Sequence, residues 1–219
     1  MKTLRIFLLI LIIIGIALLF TQKIWVPKLV DKILSTETEA VSSSLPEDKN
    51  FTDSNNVFSF NYNSSFTNTE GAQIPTIEWS LNAKELGIVL TRINVPKEYM
   101  PNTNFSNAFL TVGRSTKPNA INNCLNKTLD SYSDNGFVTV DNFQFKKFTF
   151  SEGAVGNFYD STSYKGIVDG DCYAIEYTIH STNIENYSGD QGITEFNKLK
   201  IQNELEKIIQ SFKFLINSD

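Results

Sequence analysis

The chain has 219 residues, of which 41% are apolar, and a formal net charge of −5. Residues 1–34 hold five bases and one acid, which leaves 14 bases against 23 acids in the rest of the chain. An acidic surface repels phosphate backbones, and no stripe of basic and aromatic residues occurs, so we expect no nucleic-acid partner.

The first predicted element is an apolar helix near the amino terminus. The run Ile6–Phe20 contains nothing more polar than Gly15. Extended to Val26, it has about 21 residues, and a helix that crosses a bilayer needs about 20. Trp25 stands where an interfacial aromatic residue is common. Residues 1–34 are therefore predicted to form a membrane anchor and a juxtamembrane segment, with the lipid bilayer as a partner.

A cleaved signal peptide is the alternative interpretation of this segment. Lys2 and Arg5 give the positively charged start that such peptides have. The small residues that a cleavage site needs occur only as Gly15 and Ala17, inside the apolar run. The uncleaved anchor is therefore the preferred prediction.

The segment that follows is polar. Residues 35–56 are rich in Ser, Thr, Asn and acidic residues, a composition that cannot bury enough apolar surface to fold. This pattern predicts a flexible linker over residues 35–56 and a folded domain over residues 57–219. About 160 residues are enough for one domain with its own core.

From residue 57 onward the pattern becomes one of short strands. Residues 57–62 place Phe58, Phe60 and Tyr62 on one face, and residues 86–93 and 108–113 predict further strands. Two hairpins follow, and they are recognised by their turns. The first covers 137–150 with a turn at 141–142, and the second covers 154–182 with a turn at 169–170.

Two helices interrupt the strands. Residues 115–132 predict a helix that begins near Pro118 and places Cys124 on its inner face. Residues 194–214 predict a second helix that Thr194 caps. Its apolar stripe is Phe196, Leu199, Leu205, Ile208, Ile209 and Phe212. The fold class is therefore α+β, an antiparallel sheet with helices packed on it.

The two cysteines, Cys124 and Cys172, are too far apart in sequence for a CxxC redox motif or a zinc site. In an acidic domain beyond a membrane anchor, they predict one disulfide and a position outside the cytoplasm. The alternative is two free, buried thiols that behave as small apolar side chains. We expect no metal site and no cofactor.

The only histidine, His180, ends the predicted strand that also contains Glu176. Residues four apart on a strand share a face but lie about 13 Å apart, so Glu176 cannot orient the imidazole directly. The most economical interpretation is a surface histidine at a strand end. We keep His180, Glu176 and Asp160 as candidate ligand-binding residues, and Glu176 with Asp160 as the carboxylate pair that a hydrolase would need.

The order of these elements, with "NNVFSFNYNSSF" at the start and "LEKIIQSFKF" at the end, resembles the PsbP-like α-β-α sandwich. Members of that superfamily often open with Gly-Phe-Ser-Phe-x-Tyr-Pro-x-x-Trp. Here Asn56 and Val57 replace the glycine, Asn63 stands at the proline position, and Phe66 lies near the tryptophan position. The chain also looks like uncharacterised, membrane-anchored bacterial proteins.

The resemblance covers residues 57–214 and implies a domain that docks onto membrane complexes, with no catalytic motif to transfer. The leading hypothesis is a membrane-tethered extracytoplasmic module that binds or scaffolds an envelope protein, and we expect it not to be an enzyme. A small-ligand or metal-binding module and an envelope hydrolase are the alternatives.

Overall fold

The computed structural model describes residues 47–70 and 87–215. The predicted membrane anchor in residues 1–34 and the first part of the predicted linker lie outside these ranges. Within the two described ranges, no helix is long and apolar enough to cross a membrane.

The described residues form two antiparallel sheets and two α-helices. In chain order the elements are β1 (Asp48–Thr52), β2 (Phe58–Asn63), β3 (Thr67–Glu70), β4 (Ile88–Val95), β5 (Phe105–Ser115), α1 (Pro118–Asn122), β6 (Ser133–Val140), β7 (Phe143–Ala154), β8 (Asn157–Val168), β9 (Asp171–Thr182), α2 (Lys198–Gln210) and β10 (Lys213–Phe214). A seven-stranded sheet has the order β3-β4-β5-β9-β8-β7-β6, and a three-stranded sheet has the order β1-β2-β10. The predicted antiparallel sheet is present, but strands predominate over helices in the described residues.

Both predicted hairpins are confirmed. The turn between β6 and β7 is made by Asp141 and Asn142, and Asp141 takes a φ of 53°. The turn between β8 and β9 has Asp169 at φ 50° and Gly170 at φ 79°, as a type I′ turn requires. A third hairpin joins β7 to β8 through residues 155–156, a turn that the sequence analysis did not identify.

The predicted linker boundary at residues 35–56 is wrong for its last part, because residues 48–52 form β1. This strand pairs with β2 over five residues. Its Phe51 is buried, with its ring 5.0 Å from that of Phe60. That single aromatic residue, in the polar sequence "DKNFT", is the signal that was missed. The described domain therefore starts before residue 57.

The first helix is much shorter than predicted, because α1 ends at Asn122 and Cys124 lies beyond it. Asn123 donates from its side-chain amide to the carbonyl oxygen of Asn119 at 2.9 Å. Short polar side chains of this kind compete for backbone groups and end helices.

Helix α2 is confirmed over most of its predicted length, but Thr194 does not cap it. Asn197 does, since its side-chain oxygen accepts from the backbone N–H of Lys200 at 3.1 Å. Leu199, predicted in the apolar stripe, is 67% exposed, and Ile201 is buried instead. The core lies between α2, the three-stranded sheet and one face of the seven-stranded sheet.

Candidate functional site

The structure joins Cys124 and Cys172 in a disulfide, with the two Cα atoms 5.6 Å apart. Cys172 is the second residue of β9, and Cys124 lies just past α1. Val89, Ala174 and Ile121 surround the bond in a small apolar cluster. The bridge therefore ties α1 to the face of the seven-stranded sheet that α2 does not cover. We call this face the disulfide face and the other the helix face.

The register of β8 and β9 separates the predicted candidate residues. Glu176 lies opposite Ser163 and His180 opposite Tyr159, whereas Asp160 lies opposite Ile179. Because successive side chains on a strand point to opposite faces, Glu176 and His180 are on the disulfide face and Asp160 is on the helix face. The prediction that Glu176 and Asp160 form a hydrolase pair is wrong, since the sheet stands between them.

His180 is held at the end of β9 by two neighbours. Its ring stacks on Tyr159 with centroids 4.4 Å apart, and its Nε2 lies 2.9 Å from the side-chain oxygen of Asn157. Partial burial lowers the pKa of the imidazole, because a cation would lose part of its hydration there. The residue is a packed, neutral strand-end histidine with no nucleophile among these contacts.

Glu176 is buried at 6% exposure among other polar side chains of the disulfide face. Lys165 is on the same face, and its ammonium group donates to the hydroxyl of Thr128. Burial lowers the pKa of Lys165, and the nearby charge of Glu176 opposes that shift. Ser163 is also fully buried. These side chains are closed to a substrate, so their arrangement is structural.

A concave surface lies instead on the helix face, where β7 and β8 meet the start of α2. It consists of a cavity of about 460 Å³ and a smaller one of about 140 Å³. The two cavities share Ser151, Asp160 and Lys198. We call the combined surface the hairpin–helix groove. The larger cavity is lined by Asn104, Ser151, Glu152, Gly153, Phe158, Asp160, Ser181, Thr182, Asn183, Ile184, Glu195, Phe196 and Lys198.

Asn104 holds the wall of the groove in place. Its side-chain amide donates to the carbonyl oxygen of Thr182 at 2.7 Å, and its side-chain oxygen accepts from the backbone N–H of Phe196 at 2.9 Å. Its backbone N–H donates to Thr194. One buried side chain thus fixes both ends of the loop between β9 and α2. The groove is preformed, as ligand sites usually are.

The charges of the groove are unequal. Lys198 pairs with Asp160 at 2.6 Å, and the hydroxyl of Ser151 donates to the same carboxylate at 2.6 Å. Glu195 also lines the larger cavity and has no ion-pair partner within the described residues. Glu152 borders the cavity too, but it lies opposite Tyr159 in the register, so its side chain is on the disulfide face. Once the paired charges cancel, Glu195 is left as the uncompensated acidic residue of the groove lining.

The apolar part of the groove continues to the tip of the β7–β8 hairpin. Phe158 is 45% exposed and lies over Gly153, where an added Cβ would meet its ring at 3.2 Å. Val155, at the tip, is 99% exposed and takes a φ of 49°. Gly156 follows it, and its carbonyl oxygen accepts from the backbone N–H of Asn183 at 2.8 Å. The tip is therefore fixed to the loop that forms the groove wall.

Of the three predicted candidates, only Asp160 lines the groove. The sequence analysis missed Asn104, Glu152, Phe158, Glu195 and Lys198, because they come from four separate segments of the chain. No cluster of three or more metal-ligating side chains is present in residues 47–70 and 87–215.

No protein-family model and no curated protein matches the chain. The solved structures that are similar to it include the following three. A protein from Bacteroides thetaiotaomicron has 15% identity and a TM-score of 0.40, over 78% of this chain and 50% of that one. The chain thus spans about half the length of that protein.

The second structure is cyanobacterial PsbP (CyanoP) from Synechocystis sp. PCC 6803, with 9% identity and a TM-score of 0.39 over 79% of this chain and 95% of that one. The third is LpqN, involved in cell envelope biogenesis of Mycobacterium tuberculosis, with 10% identity and a TM-score of 0.35 over 76% and 90% of the two chains. One of the three is a PsbP, the family that the sequence resembles.

Proposed function

We propose that the protein is an extracytoplasmic binding module, held at a membrane by its amino-terminal segment, and that the hairpin–helix groove is its binding site. The observation that carries the proposal is the groove itself, a preformed cavity of about 460 Å³ with aromatic and charged walls. Binding sites are commonly concave, largely apolar and supplied with a few fixed polar groups.

The arrangement of the other reactive side chains favours binding over catalysis. His180 is packed between Tyr159 and Asn157, on the face of the sheet opposite the groove. Glu176 is buried on that same face. The carboxylate that does line the groove, Asp160, is occupied by Lys198 and Ser151.

The disulfide supports the proposed location outside the cytoplasm. Disulfides persist in oxidising environments and are rare in the cytoplasm, where thiols are kept reduced. The experiment is to denature the full chain directly from cells and add a bulky maleimide, with and without prior reduction. We expect both cysteines to label only after reduction. Free labelling without reduction would place the domain in a reducing compartment and contradict this part of the proposal.

The binding site is tested by photo-crosslinking in cells that express the full chain. A photoreactive phenylalanine replaces Phe158 in the groove or, as the matched control, Phe137 on edge strand β6, which is 58% exposed. We expect adducts from position 158 and none from position 137. The variant Ser151→Trp, which fills the junction of the two cavities, should abolish them. Equal adducts at both positions would reject the groove as the site.

A small-ligand module is the second candidate, because the cavity volume lies within the range of small-molecule sites, about 300–1,000 Å³. In that case crosslinking at position 158 yields an adduct that leaves the migration of the chain on a denaturing gel unchanged and adds a small mass. A protein partner adds a full polypeptide. The mass of the adduct therefore decides between the two candidates.

A further inference from the structure

We propose that the ligand of the hairpin–helix groove is a neutral sugar. One pyranose ring lies at the junction of the two cavities, with two adjacent hydroxyl groups on the Asp160–Lys198 ion pair and one ring face on Phe158. This inference rests on the proposed function, because it names the chemistry of the ligand at the same site. The ring belongs either to a free sugar or to the end of a glycan chain, since both present the same groups.

The junction of the two cavities presents an ion pair rather than a single charge. Lys198 lies 2.6 Å from Asp160, and the two side chains remain 48% and 29% exposed. An ammonium group has three donors and a carboxylate about four acceptor positions, so both groups keep capacity for a ligand. Two adjacent hydroxyl groups can donate to Asp160 and accept from Lys198 at once. The ion pair is therefore matched by a diol, which leaves it intact.

Charged and apolar ligands fit this junction less well. A cation competes with Lys198 for Asp160, and an anion competes with Asp160 for Lys198, so each breaks an existing ion pair. An anion also meets Glu195, the uncompensated acidic residue of the lining. An apolar ligand removes water from the ion pair and replaces none of its hydrogen bonds, which costs free energy. A neutral ligand with several hydroxyl groups avoids all three costs.

The smaller cavity adds acceptor oxygens at the same junction. The hydroxyl of Ser151 donates to Asp160 at 2.6 Å, and the hydroxyl of Thr149 donates to the side-chain oxygen of Asn135 at 2.9 Å. Because a hydroxyl group has only one proton, these two oxygens can meet a ligand only as acceptors. Gln202, also in the lining, has an amide that donates and accepts. Acceptor oxygens of this kind select a ligand that supplies O–H groups.

The aromatic surface for the sugar ring is Phe158. It is 45% exposed and lies on the same face of β8 as Asp160, two residues and about 7 Å away. Gly153 lies opposite it, and a Cβ there would meet the ring at 3.2 Å, so the missing side chain lets the phenyl ring lie against β7. The negative face of an aromatic ring attracts the weakly positive C–H groups of a sugar. One pyranose ring can therefore contact Phe158 and the ion pair together.

An extended peptide is the competing neutral occupant. Peptides commonly bind to a sheet by pairing with a free edge strand. The strands that form the floor of the groove, β7 and β8, are both interior strands, because β6 pairs with β7 and β9 pairs with β8. The backbone groups of the floor are thus used within the sheet. Recognition in the groove is left to side chains, and these side chains favour hydroxyl groups.

The test uses the full chain in nanodiscs of phosphatidylcholine, with empty nanodiscs as background, and saturation-transfer NMR. The probes are the methyl pyranosides of glucose, galactose, mannose and N-acetylglucosamine. Tetrahydropyran-2-methanol, the same ring without its ring hydroxyl groups, is the matched control probe. We expect at least one pyranoside to bind with a dissociation constant of about 1 mM. The control probe should bind at least about tenfold more weakly, because the polar groups of the junction then lack partners.

Variants locate the bound sugar in the groove. Phe158→Leu should weaken binding of the best pyranoside by about fivefold, and Asp160→Asn by about tenfold. The matched controls are Phe137→Leu, at a 58% exposed residue of β6, and Asp134→Asn, at a carboxylate that pairs with Lys146 at 2.8 Å. Each control should change binding by less than about twofold, and the unfolding temperature of each variant is measured alongside. Equal losses in the groove and control variants would overturn the inference.

The charge of the ligand is tested with the uronic acid counterpart of the pyranoside that binds best. Its carboxylate meets Glu195, so at low ionic strength it should bind about threefold more weakly than the neutral sugar. Glu195→Gln should remove this difference. Tighter binding of the uronic acid to the unaltered chain would contradict a neutral ligand.

A trisaccharide of the same sugar distinguishes the two sources of the ring. Binding at least about tenfold tighter than that of the single unit assigns the end of a glycan chain, and equal binding assigns a free sugar. Ser151→Trp, which fills the junction, should block both. Sugar binding that this variant leaves unchanged would lie outside the groove and would overturn the inference.

The outcomes separate this inference from the proposed function. If no pyranoside binds while crosslinks form at position 158, the sugar is wrong and the groove stands. If tetrahydropyran-2-methanol binds as tightly as the pyranosides and Ser151→Trp blocks all of them, recognition of hydroxyl groups is wrong and the groove still binds. If neither bound probes nor crosslinks are found, both proposals fail.

Discussion

The two faces of the seven-stranded sheet bury polar groups in different ways. On the helix face, the carboxylate of Glu206 accepts from the hydroxyl groups of Tyr164 and Tyr177, at 2.7 Å and 2.9 Å, and from Lys147 at 3.1 Å. On the disulfide face, the ammonium group of Lys165 is buried beside the sheet. On the same face, the disulfide attaches the α1 segment to the sheet covalently.

This difference shows how each helix is held against the seven-stranded sheet. Helix α2 has thirteen residues and an apolar stripe, so it packs on the sheet mainly by burial, and Glu206 and Lys198 add polar contacts to the sheet. Helix α1 has five residues and buries a single one of them, Ala120. A helix that short is marginal without tertiary support. We therefore expect the disulfide to do for α1 what apolar burial does for α2, and four predictions test this comparison.

The largest effect is expected from the double variant Cys124→Ala, Cys172→Ala. The bridge closes a loop of 48 residues, and the chain-entropy estimate for that loop is about 4 kcal/mol. Urea unfolding should show the free energy of unfolding reduced by about this amount. Reduction of the unaltered chain is the control and should give a similar loss. A change below about 1 kcal/mol would mean that α1 is held by other contacts.

The second effect compares Glu206→Ala with Glu204→Ala on helix α2. Loss of Glu206 leaves Tyr164, Tyr177 and Lys147 without their shared acceptor, which should cost about 2–3 kcal/mol of unfolding free energy. Glu204 mainly pairs with the exposed Lys207 at 2.7 Å, and its loss should cost about 0.5 kcal/mol.

The pKa values of Tyr164 and Tyr177 test their contact with Glu206 without a measurement of stability. Burial, together with the nearby charge of Glu206, raises the pKa of Tyr164 and the pKa of Tyr177. Ultraviolet titration of the folded chain should therefore leave both phenols protonated after exposed tyrosines have ionised. Equal stability losses in Glu206→Ala and Glu204→Ala would show that burial alone holds the helix.

The third effect concerns the two hairpin turns that precede and follow strand β8. Val155→Asn relieves the strain of a valine at positive φ and should raise the free energy of unfolding by about 1 kcal/mol. The reciprocal control, Asp169→Val, places a valine at the same position of the next turn and should lower it by a similar amount. If both variants were neutral, Val155 would carry no strain.

The smallest effect belongs to His180, the only histidine of the chain. Burial lowers its pKa, so the unfolded chain takes up the proton at a higher pH than the folded one does. The contribution of the neutral imidazole to the free energy of unfolding is complete above about pH 6.5, the pKa of histidine in the unfolded chain. It is lost as the pH falls from there toward the lower pKa of His180 in the folded chain. Proton NMR of the imidazole should give a midpoint below that of the unfolded chain. His180→Gln should remove this part of the pH dependence.

Local turn chemistry made part of the fold predictable from the sequence. Asp169 and Gly170 specify a type I′ turn by themselves, and alternation in residues 57–62 specifies β2. Strand β1 was missed, because its pairing with β2 depends on one buried side chain, Phe51, in a polar segment. The predicted α1 was too long, because side-chain competition for backbone groups leaves little trace in an apolar pattern.

The groove could not be predicted in the same way. Asn104 forms its clamp only after β5, β9 and the loop before α2 have come together, and its partners are 78 and 92 residues away. The alternation of residues in β9 was enough to assign the two faces of that strand. Whether Asp160 and Glu176 share a face, however, depends on the register between β8 and β9. A shift of one residue moves every side chain to the other face, which is why the carboxylate pair was predicted wrongly.

The strand order β1-β2-β10 means that the small sheet is completed only after β10 has been synthesised. Phe212 stacks on Phe58 at 5.0 Å, and Phe214 packs beside it, so the aromatic cluster of the small sheet needs residues that a ribosome adds after the other strands of the described domain. Until then Phe58 and Phe60, which are fully buried in the finished domain, have no such cover. A nascent chain must therefore be shielded until Phe212 and β10 have emerged, and a stop codon before Phe212 would release a product that exposes an aromatic surface to chaperones and proteases.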